Sequence, residues 1–379
     1  MSSVAMRAPV LPTYARQDVT FVAGDGAWLV DAEGRRYLDF LAGIAVVGLG
    51  HVHPAPLAAA QSQLERLWHT SNLYWTEPMA ELAECLSARF GGAQAFFCNS
   101  GAEAVEAALK YARKATGKPG VVALEGSFHG RTFGALAATG QPDKRAAFEP
   151  LVPGIRFALP DDAGSLRAAA DDTTGCILLE PIQGEGGVRP LAPSFVAAAR
   201  SIADELGALL VFDEVQSGVG RTGSFFCFER LGIRPDAVTL AKGLANGLPI
   251  GCLLVADYAA GAFEPGDHGS TFGGNPVSAA AAVAVCETID DGFLENVRET
   301  GARLTDGLAA LPAVLEVRGA GLLLGAELDR PAATVVAACL ERGLLVGSAG
   351  ERVLRLTPPL TIGPAEVEQA LAILAEALQ

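Results

Sequence analysis

The sequence of 379 residues predicts an α/β fold with a mostly parallel central sheet. Short apolar runs at 95–97, 121–124 and 176–180 have the length of buried strands. Segments with helical periodicity, 102–115 and 194–206, separate such strands along the chain. Because strands that alternate with helices of this length are normally joined by right-handed crossovers, they form one parallel sheet with helices on both faces.

The two ends of the chain depart from this alternation. Residues 26–39 have the pattern of a β-hairpin, and the region after Leu311 has the pattern of a separate α+β unit. We therefore expect residues 1–50 and 276–379 to build a smaller α+β domain from both chain ends. Residues 51–275 are expected to build the large α/β domain.

Charge and composition argue against several classes of function. The formal net charge of −15 disfavours nucleic acid or an anionic membrane surface as a partner. No stretch approaches the roughly 20 apolar residues that span a bilayer, and the N-terminus lacks an apolar signal core. We therefore expect a soluble, cytoplasmic protein. The seven cysteines and five histidines lack metal-ligand spacing, which predicts reduced thiols and no metal site.

An acidic strand end and a lysine carry the clearest chemical signal. The apolar run 207–212 leads into Asp213 and Glu214, and the apolar run 237–241 leads into Lys242. In an open α/β sheet, ligands bind at the carboxyl ends of the strands. If these two strands are neighbours, Asp213 and Lys242 converge on one crevice. Such a pair suits a Schiff-base cofactor whose pyridine nitrogen needs an acidic partner.

A second signal lies where another strand leads into a helix. Ser100 has the position of an N-cap residue, and Gly101 allows a ligand to approach the backbone closely. Free N–H groups at such a helix start bind phosphate. A plain capping box with Glu103 explains the same residues, and by itself it is the simpler explanation. The phosphate site therefore depends on the neighbouring motifs.

Glycine-rich loops follow two further strands. Residues 126–132 hold Phe128 and Arg131 between glycines, which is typical of a loop that lays a ring on a planar ligand and directs a guanidinium to a carboxylate. Residues 180–187 place Glu185 on a glycine turn. The structural alternatives are a core phenylalanine, a surface arginine and glycines that only form turns.

Three other segments contain further candidate motifs. Residues 218–223 match G-x-G-x-x-G, but no helix pattern begins after them, so we reject a dinucleotide site. Residues 269–276 supply Ser270 and Thr271 between glycines, ahead of a long helix. Arg355 lies inside an apolar strand, where it needs an anionic partner from the protein or from a substrate.

Five motifs together resemble the class III pyridoxal-phosphate aminotransferases. They are Ser100-Gly101-Ala102, Phe128-His129-Gly130-Arg131, Asp213-Glu214-Val215-Gln216, Ala241-Lys242-Gly243 and Ser270-Thr271-Phe272-Gly273-Gly274-Asn275-Pro276. The resemblance extends over almost the whole chain and implies the PLP-dependent transferase fold type I, the fold of aspartate aminotransferase. Within the class, residues 71–74 and the loop at 128–132 look most like the enzymes of arginine biosynthesis that move the δ-amino group of N2-acetylornithine to 2-oxoglutarate.

The resemblance implies a role for each residue around the cofactor, pyridoxal 5'-phosphate. Lys242 would hold the cofactor covalently and, once freed by substrate, would transfer a proton. Asp213 would pair with the pyridinium nitrogen, and Gln216 would contact the phenolic oxygen. Phe128 would stack on one face of the ring, while Val215 would pack on the other.

The phosphate of the cofactor would be bound by a second group of residues. Ser100 and the N–H groups of Gly101 and Ala102 would bind the phosphate, and Thr271 would reach it from the partner subunit of a homodimer. Ala102 stands where many relatives have a hydroxyl residue, so one phosphate contact is expected to be missing.

Two arginines would bind the substrates. Arg131 and Ser270 would contact acetylornithine. Arg355 would take the α-carboxylate of glutamate, and Glu185 would pair with Arg355 when the other substrate is bound.

Several other functions share these motifs. Aminotransferases for ornithine, succinylornithine, 4-aminobutyrate or intermediates of lysine biosynthesis have the same cofactor residues. A racemase or epimerase on this scaffold would need no oxo-acid acceptor. A scaffold that binds the cofactor without reacting is the non-enzymatic alternative, and the presence of both Lys242 and Asp213 argues against it.

Overall fold

A seven-stranded sheet forms the centre of the molecule. The computed structural model describes residues 8–379, so the first seven residues of the predicted N-terminal part lie outside the described residues. In spatial order the strands are Ala93–Cys98, Gly251–Ala256, Ala237–Leu240, Leu209–Asp213, Thr174–Leu179, Gly120–Leu124 and Ile155–Ala158. All are parallel except Gly251–Ala256, which is antiparallel to both of its neighbours. The mostly parallel sheet predicted from the sequence is confirmed.

The strands are apolar throughout because helices cover both faces of the sheet. Alternate residues of a strand point to opposite faces. On strand Leu209–Asp213, Leu210 and Phe212 join the core beneath helix Pro193–Leu206, whereas Val211 joins the core on the opposite face, beneath helix Gly101–Thr116. Burial on both faces explains why these strands appear in the sequence as continuous apolar runs.

The helices of this part of the chain include those predicted at 102–115, at 194–206 and after the segment 269–276. They are Pro54–Leu64, Glu77–Phe90, Gly101–Thr116, Phe133–Ala138, Pro142–Arg145, Ala163–Ala169, Pro193–Leu206 and Pro276–Thr288, with a short helical turn at Ala42–Ala45. Short 3-10 helices occupy Ala146–Phe148, Cys227–Leu231, Lys242–Ala245 and Asp257–Ala259. The alanine-rich helix Pro276–Thr288 packs against Pro54–Leu64 and Glu77–Phe90.

Both ends of the chain meet in a smaller sheet. Its strands are Phe21–Asp25, Trp28–Asp31, Arg36–Asp39 and Leu344–Leu345. The first three form the predicted antiparallel hairpin and its extension, and Leu38 lies opposite Leu344 in a parallel pair. The strand pairing therefore joins the N-terminal hairpin to the C-terminal region. The exact domain limits, 1–50, 51–275 and 276–379, remain a prediction.

The C-terminal region adds another sheet with three helices. The strands are Val314–Ala320, Leu323–Leu328, Val353–Leu356 and Gly347–Ser348, and the helices are Asp291–Ala309, Ala332–Glu341 and Pro364–Ala377. A two-stranded ribbon, Ile182–Gln183 with Arg189–Pro190, follows the central strand Thr174–Leu179 in the chain. The amphipathic helix Asp291–Ala309 was not predicted, although Leu294, Val297, Leu304 and Leu308 bury one face of it.

The loop after Asp213 joins the two parts of the molecule. The buried carboxylate of Glu214 accepts hydrogen bonds from the N–H groups of Cys227 (2.6 Å) and Phe228 (2.8 Å). Arg221 is only 2 % exposed, and its guanidinium donates to the carbonyl oxygens of Leu322 (3.0 Å) and Pro358 (2.6 Å) in the C-terminal region. The residues of the G-x-G-x-x-G match at 218–223 therefore belong to a buried connection between the two parts of the molecule.

Two further observations concern chemistry outside the central sheet. All seven cysteines are unpaired, and all but Cys85 are buried. No helix within residues 8–379 combines the length and the apolar content that crossing a membrane requires.

Candidate active site

A cavity of about 420 Å³ opens at the carboxyl ends of the parallel strands. It contains most of the residues that the sequence singled out. Those residues are Ser100, Gly101, Ala102, Phe128, Arg131, Glu185, Asp213, Val215, Gln216 and Lys242. Parallel strands bring them together because each strand leads into a loop at the same edge of the sheet.

Asp213 and Lys242 follow adjacent strands, as predicted. Asp213 lies opposite Thr239 in the parallel pair, so the strand containing Thr239 continues directly to Lys242. Asp213 is only 5 % exposed, and hydrogen bonds orient its carboxylate. Its Oδ1 accepts hydrogen bonds from the Thr239 hydroxyl and from the Val215 N–H, both at 3.1 Å.

The other carboxylate oxygen of Asp213 contacts a buried histidine. Asp213 Oδ2 lies 2.7 Å from His129 Nδ1, and neither side chain has appreciable contact with solvent. Burial lowers the pKa of His129, but the hydrogen bond and the negative charges of Asp213 and Glu180 outweigh it, so the pKa is raised above 6.5. The structure therefore favours an imidazolium whose N–H donates to Asp213 and orients its carboxylate.

Lys242 has an unusual backbone conformation and a lowered pKa. Its φ of 43° lies in the left-handed region, which costs a non-glycine residue about 1–3 kcal/mol and is concentrated at functional sites. Burial lowers the pKa of Lys242 to about 8, with Glu185 acting in the opposite direction and Arg355 in the same direction. A larger share of the side chain is consequently the neutral amine near pH 7, which is the nucleophilic form.

The start of helix Gly101–Thr116 forms one wall of the cavity. Ser100 is its N-cap residue, and the Ser100 hydroxyl accepts a hydrogen bond from the Glu103 N–H at 3.2 Å. The first N–H groups of a helix have no carbonyl partner within it. A Cβ at Gly101 would lie 2.7 Å from the Val215 side chain, so this position needs glycine to let Val215 approach the cavity.

Glu180 connects the loop of Phe128 to the turn of Glu185. Its carboxylate accepts hydrogen bonds from the N–H of Phe128 (2.7 Å) and from the N–H of Gly184 (3.1 Å). Burial raises the pKa of Glu180 to about 7, against the opposing charge of His129. This single side chain thus fixes the aromatic ring and the acidic turn relative to each other.

Arg355 meets its anionic partner at the edge of the cavity. The buried guanidinium contacts the Glu185 carboxylate directly and also donates to Gly184 O and to Gln216 Oε1, each at 3.3 Å. Burial raises the pKa of Glu185, but the charge and hydrogen bond of Arg355 outweigh it and hold the pKa below its ordinary value. Glu185 is therefore a carboxylate, and it neutralises the buried Arg355.

Three of the predicted residues are not part of the cavity lining: Arg355, which borders it through Glu185, and Ser270 and Thr271. Ser270 and Thr271 line a neighbouring depression, which Asn99 shares with the main cavity. The Ser270 hydroxyl accepts hydrogen bonds from Asn99 Nδ2 (3.2 Å) and from the N–H of Gly273 (3.0 Å). Thr271 is exposed on the surface of the chain.

Sequence reasoning did not assign two residues that the structure places at the centre of the site. His129 and Glu180 both lie inside motifs quoted above, but their partners, Asp213 and the N–H groups of Phe128 and Gly184, are distant in the chain. Their position after strands and beside glycines was the available signal. The contacts themselves depend on the tertiary fold.

Comparison with known proteins identifies the family of this chain. The family model described as aminotransferase class-III matches residues 13–378. The chain therefore belongs to the class III aminotransferase family. Members of this class depend on pyridoxal phosphate, so the chain is a pyridoxal-phosphate-dependent aminotransferase.

Individual aminotransferases of known sequence or structure are similar to this chain over nearly its full length. The chain is 49 % identical over 383 residues to an acetylornithine aminotransferase of Gloeobacter violaceus, covering 98 % of this chain and 96 % of the relative. A solved N-acetylornithine aminotransferase of Stenotrophomonas maltophilia has a TM-score of 0.84 at 37 % identity and covers 96 % of each chain. The ornithine aminotransferase of Toxoplasma gondii, described with partial occupancy of PLP at its active site, has a TM-score of 0.93 at 32 % identity, covering 99 % of this chain and 92 % of the other.

The residues of the cavity fit this cofactor. A helix start offers N–H groups for a phosphate, a held carboxylate lies at the end of a buried strand, and a lysine with a lowered pKa lies beside it. Glycine at position 101 lets the Val215 side chain approach the cavity, since a Cβ there would lie 2.7 Å from it. The donor set contains an anion site, an acid and an amine, which are the three groups that the cofactor requires.

The contact between His129 and Asp213 leads to a testable prediction. His129→Leu removes the buried donor, and we expect aminotransferase kcat to fall about ten- to hundredfold, the loss of one charge-assisted hydrogen bond. His129→Asn retains an N–H group near the position of Nδ1 and should lose much less. Steady-state rates of both variants, with circular dichroism to verify folding, provide the measurement. Equal rates for wild type and His129→Leu would contradict the role of this contact.

Proposed function

We propose that this chain transfers the δ-amino group of N2-acetylornithine to 2-oxoglutarate, a step of arginine biosynthesis. The observation that carries the proposal is a single cavity lined by Lys242, Asp213 and Arg131. Arg355 borders this cavity, because it contacts the lining residue Glu185. The relatives that are 46–49 % identical over nearly the full length support the choice of acetylornithine.

We assign the cofactor contacts as the resemblance implied. Lys242 would hold pyridoxal phosphate covalently, Asp213 would hold its ring nitrogen, and the N–H groups of Gly101 and Ala102 would hold its phosphate. Phe128 and Val215 would enclose the ring, and Gln216 would contact its phenolic oxygen. When bound, this group supplies an electron sink that makes a proton on the substrate carbon acidic.

Lys242 is proposed to be the residue that moves this proton. A general base works best when its pKa is close to the working pH, and burial brings the pKa of Lys242 down to about 8. As a neutral amine, Lys242 takes a proton from one carbon atom and returns it to another.

Asp213 supports this chemistry from the opposite side. Its three protein contacts, with His129, Thr239 and the N–H of Val215, orient the carboxylate and leave lone-pair capacity for a ring nitrogen. The carboxylate, oriented by the buried His129, would stabilise a positive charge on that nitrogen. The pair therefore keeps the electron-withdrawing form of the cofactor.

The pair of Arg355 and Glu185 is proposed to let two different substrates use one cavity. Glutamate and 2-oxoglutarate carry a carboxylate next to the reacting carbon, and this group would displace Glu185 from Arg355. The δ-amino end of acetylornithine carries no such charge, so Glu185 would then remain on Arg355 and neutralise it. The direct contact between the two side chains supports this exchange.

Ornithine is the second candidate donor. The observation that favours it is the structural similarity to the ornithine aminotransferase of Toxoplasma gondii, at a TM-score of 0.93. The two donors differ at the α-amino group, which is acylated and uncharged in one and cationic in the other. A site that places Arg131 near this end should prefer the acylated donor, because the free ammonium would be repelled.

A panel of amino donors tests the proposed function. With 2-oxoglutarate as acceptor, we expect N2-acetylornithine to give the highest kcat/KM, at least about tenfold above ornithine and 4-aminobutyrate, because one repelled or missing charge contact is of order 1.4 kcal/mol. N2-succinylornithine and the acylated donors of lysine biosynthesis belong in the same panel. A higher kcat/KM for ornithine than for acetylornithine would contradict the proposal, and turnover that needs no oxo acid would indicate an isomerase.

We also propose that the enzyme is a homodimer whose sites use residues of both chains. Segments 68–75 and 270–275 are joined by hydrogen bonds from Asn72 to Ser270 O and Gly273 O, and from Asn275 to Trp68 O. Together they expose large apolar side chains. These are Trp68, Leu73, Tyr74, Trp75 and Phe272, each at least 58 % exposed. An apolar patch of this kind marks an interaction surface.

The location of Thr271 supports a shared site. Thr271 lies outside its own chain's main cavity and next to exposed Phe272 of this patch. A second copy packed on the patch would receive the hydroxyl of Thr271 near its phosphate site. A cytoplasmic location is proposed as well, because seven unpaired cysteines suit a reducing compartment.

A hybrid dimer tests the exchange of Thr271. One chain carries Lys242→Ala and the other carries Thr271→Asp, whose charge repels phosphate. If Thr271 acts in the partner's site, the hybrid contains one site with both changes and one wild-type site. We expect about half of the wild-type activity per dimer, although both parent homodimers are impaired. A hybrid no more active than its parents would indicate that Thr271 acts in its own chain or not at all.

A further inference from the structure

A lysine that the proposed mechanism does not use lies beside the aromatic ring of the site. Lys144 belongs to the short helix Pro142–Arg145, and its Nζ lies 5.0 Å from the centroid of the Phe128 ring. The amine donates to Gln141 Oε1, and the Gln141 amide donates in turn to Gly126 O at 3.1 Å. The side chain is therefore held against the loop that contains Phe128.

A second cation lies near the same ring. The guanidinium carbon of Arg131 is 5.6 Å from the Phe128 centroid, so both cations border one aromatic side chain. Within residues 8–379, neither Lys144 nor Arg131 forms an ion pair with a carboxylate, since the nearby Glu185 contacts Arg355. Two positive charges thus lie next to the cavity without a protein anion to neutralise them.

The electrostatic surroundings of Lys144 are those of the site. Partial burial lowers the pKa of Lys144, and the charged groups that act on it are Glu185 and Glu180, which oppose the change, and Arg131 and Arg355, which add to it. Lys144 also acts on Glu185, whose pKa it helps to lower. Lys144 therefore lies close enough to the charged groups that border the cavity to interact with them electrostatically.

We propose that Lys144 is a specificity-determining residue that forms, together with Arg131, a two-cation subsite for the carboxylate farthest from the reacting carbon. The identity of the donor rests on the proposed function. Both proposed substrates carry such a group: the α-carboxylate of acetylornithine lies far from its δ-amine, and the γ-carboxylate of 2-oxoglutarate lies far from its keto carbon. A substrate carboxylate would supply the missing counter-charge.

The physical reason for two cations is the different reach of the two substrates. The distal carboxylate does not fall at the same distance from the reacting carbon in the five-carbon keto acid and in the longer acylated donor. Arg131 binds a carboxylate in a fixed planar geometry, whereas Lys144 is a point charge on a flexible stem. Side by side, they can hold the carboxylate at either distance without a backbone movement.

The test compares two amino acids of equal chain length in single-turnover reactions of the holoenzyme. L-Glutamate carries the distal carboxylate, and L-2-aminopentanoate lacks it, while both present the same α-amino acid group to Arg355. The absorbance change of the bound cofactor reports the reaction and counts productive binding only. The variants are Lys144→Met, which removes the charge at similar length, Lys144→Gln as a second neutral variant, and Lys144→Arg, which retains the charge.

Lys118→Met is the matched control. Lys118 is also partly buried and donates to a backbone carbonyl, that of Leu206, but it precedes the strand Gly120–Leu124 at the edge of the sheet opposite to the cavity. A general effect of removing a positive charge or a lysine packing contact would appear in this variant too.

We expect both neutral variants to lower the second-order rate constant for glutamate about tenfold, the loss of one charge-assisted contact. The rate constant for 2-aminopentanoate should change less than about twofold, as should both rate constants of Lys118→Met, and Lys144→Arg should retain most of the glutamate rate. Unchanged glutamate kinetics, or an equal loss for both amino acids, would overturn the proposal. Wild-type reaction with glutamate but not with acetylornithine would contradict the proposed donor while leaving this comparison valid.

Discussion

The buried hydrogen bonds of Asp213 organise the whole site. They join three segments that are far apart in the chain: the loop of His129, the strand of Thr239 and the turn that begins at Val215. Because Thr239 lies three residues before Lys242, the same contacts fix the strand that positions the lysine. A carboxylate buried in this way is costly unless it is fully bonded and paired, so its partners cannot vary independently.

A second constraint places an arginine from the C-terminal region at the cavity. Arg355 belongs to strand Val353–Leu356 outside the central sheet, yet its guanidinium contacts Glu185 and Gln216 on loops of that sheet. The buried Arg221 supports this arrangement, since it bonds the carbonyl of Pro358 just beyond the same strand. Burial lowers the pKa of Arg221 to about 9, because the guanidinium is removed from water.

Sequence reasoning succeeded where periodicity and strand order determine position. Asp213 and Lys242 end two parallel apolar runs, so their convergence followed from the rule that such strands share one binding edge. The contacts of His129 and Glu180 could not be inferred, because a hydrogen bond across 84 or 52 residues leaves no periodic trace. Lys144 gave no signal at all, since its short helix carries ordinary surface residues and only the fold brings it to Phe128.

We propose above all that Lys242 holds the cofactor, opposite Asp213. Treatment of the holoenzyme with sodium borohydride followed by peptide mass mapping tests it most directly, because reduction makes a covalent link between lysine and cofactor permanent. We expect one modified peptide, which contains Lys242, and no cofactor label in Lys242→Ala. Labelling of a different lysine, or undiminished turnover by Lys242→Ala, would contradict it.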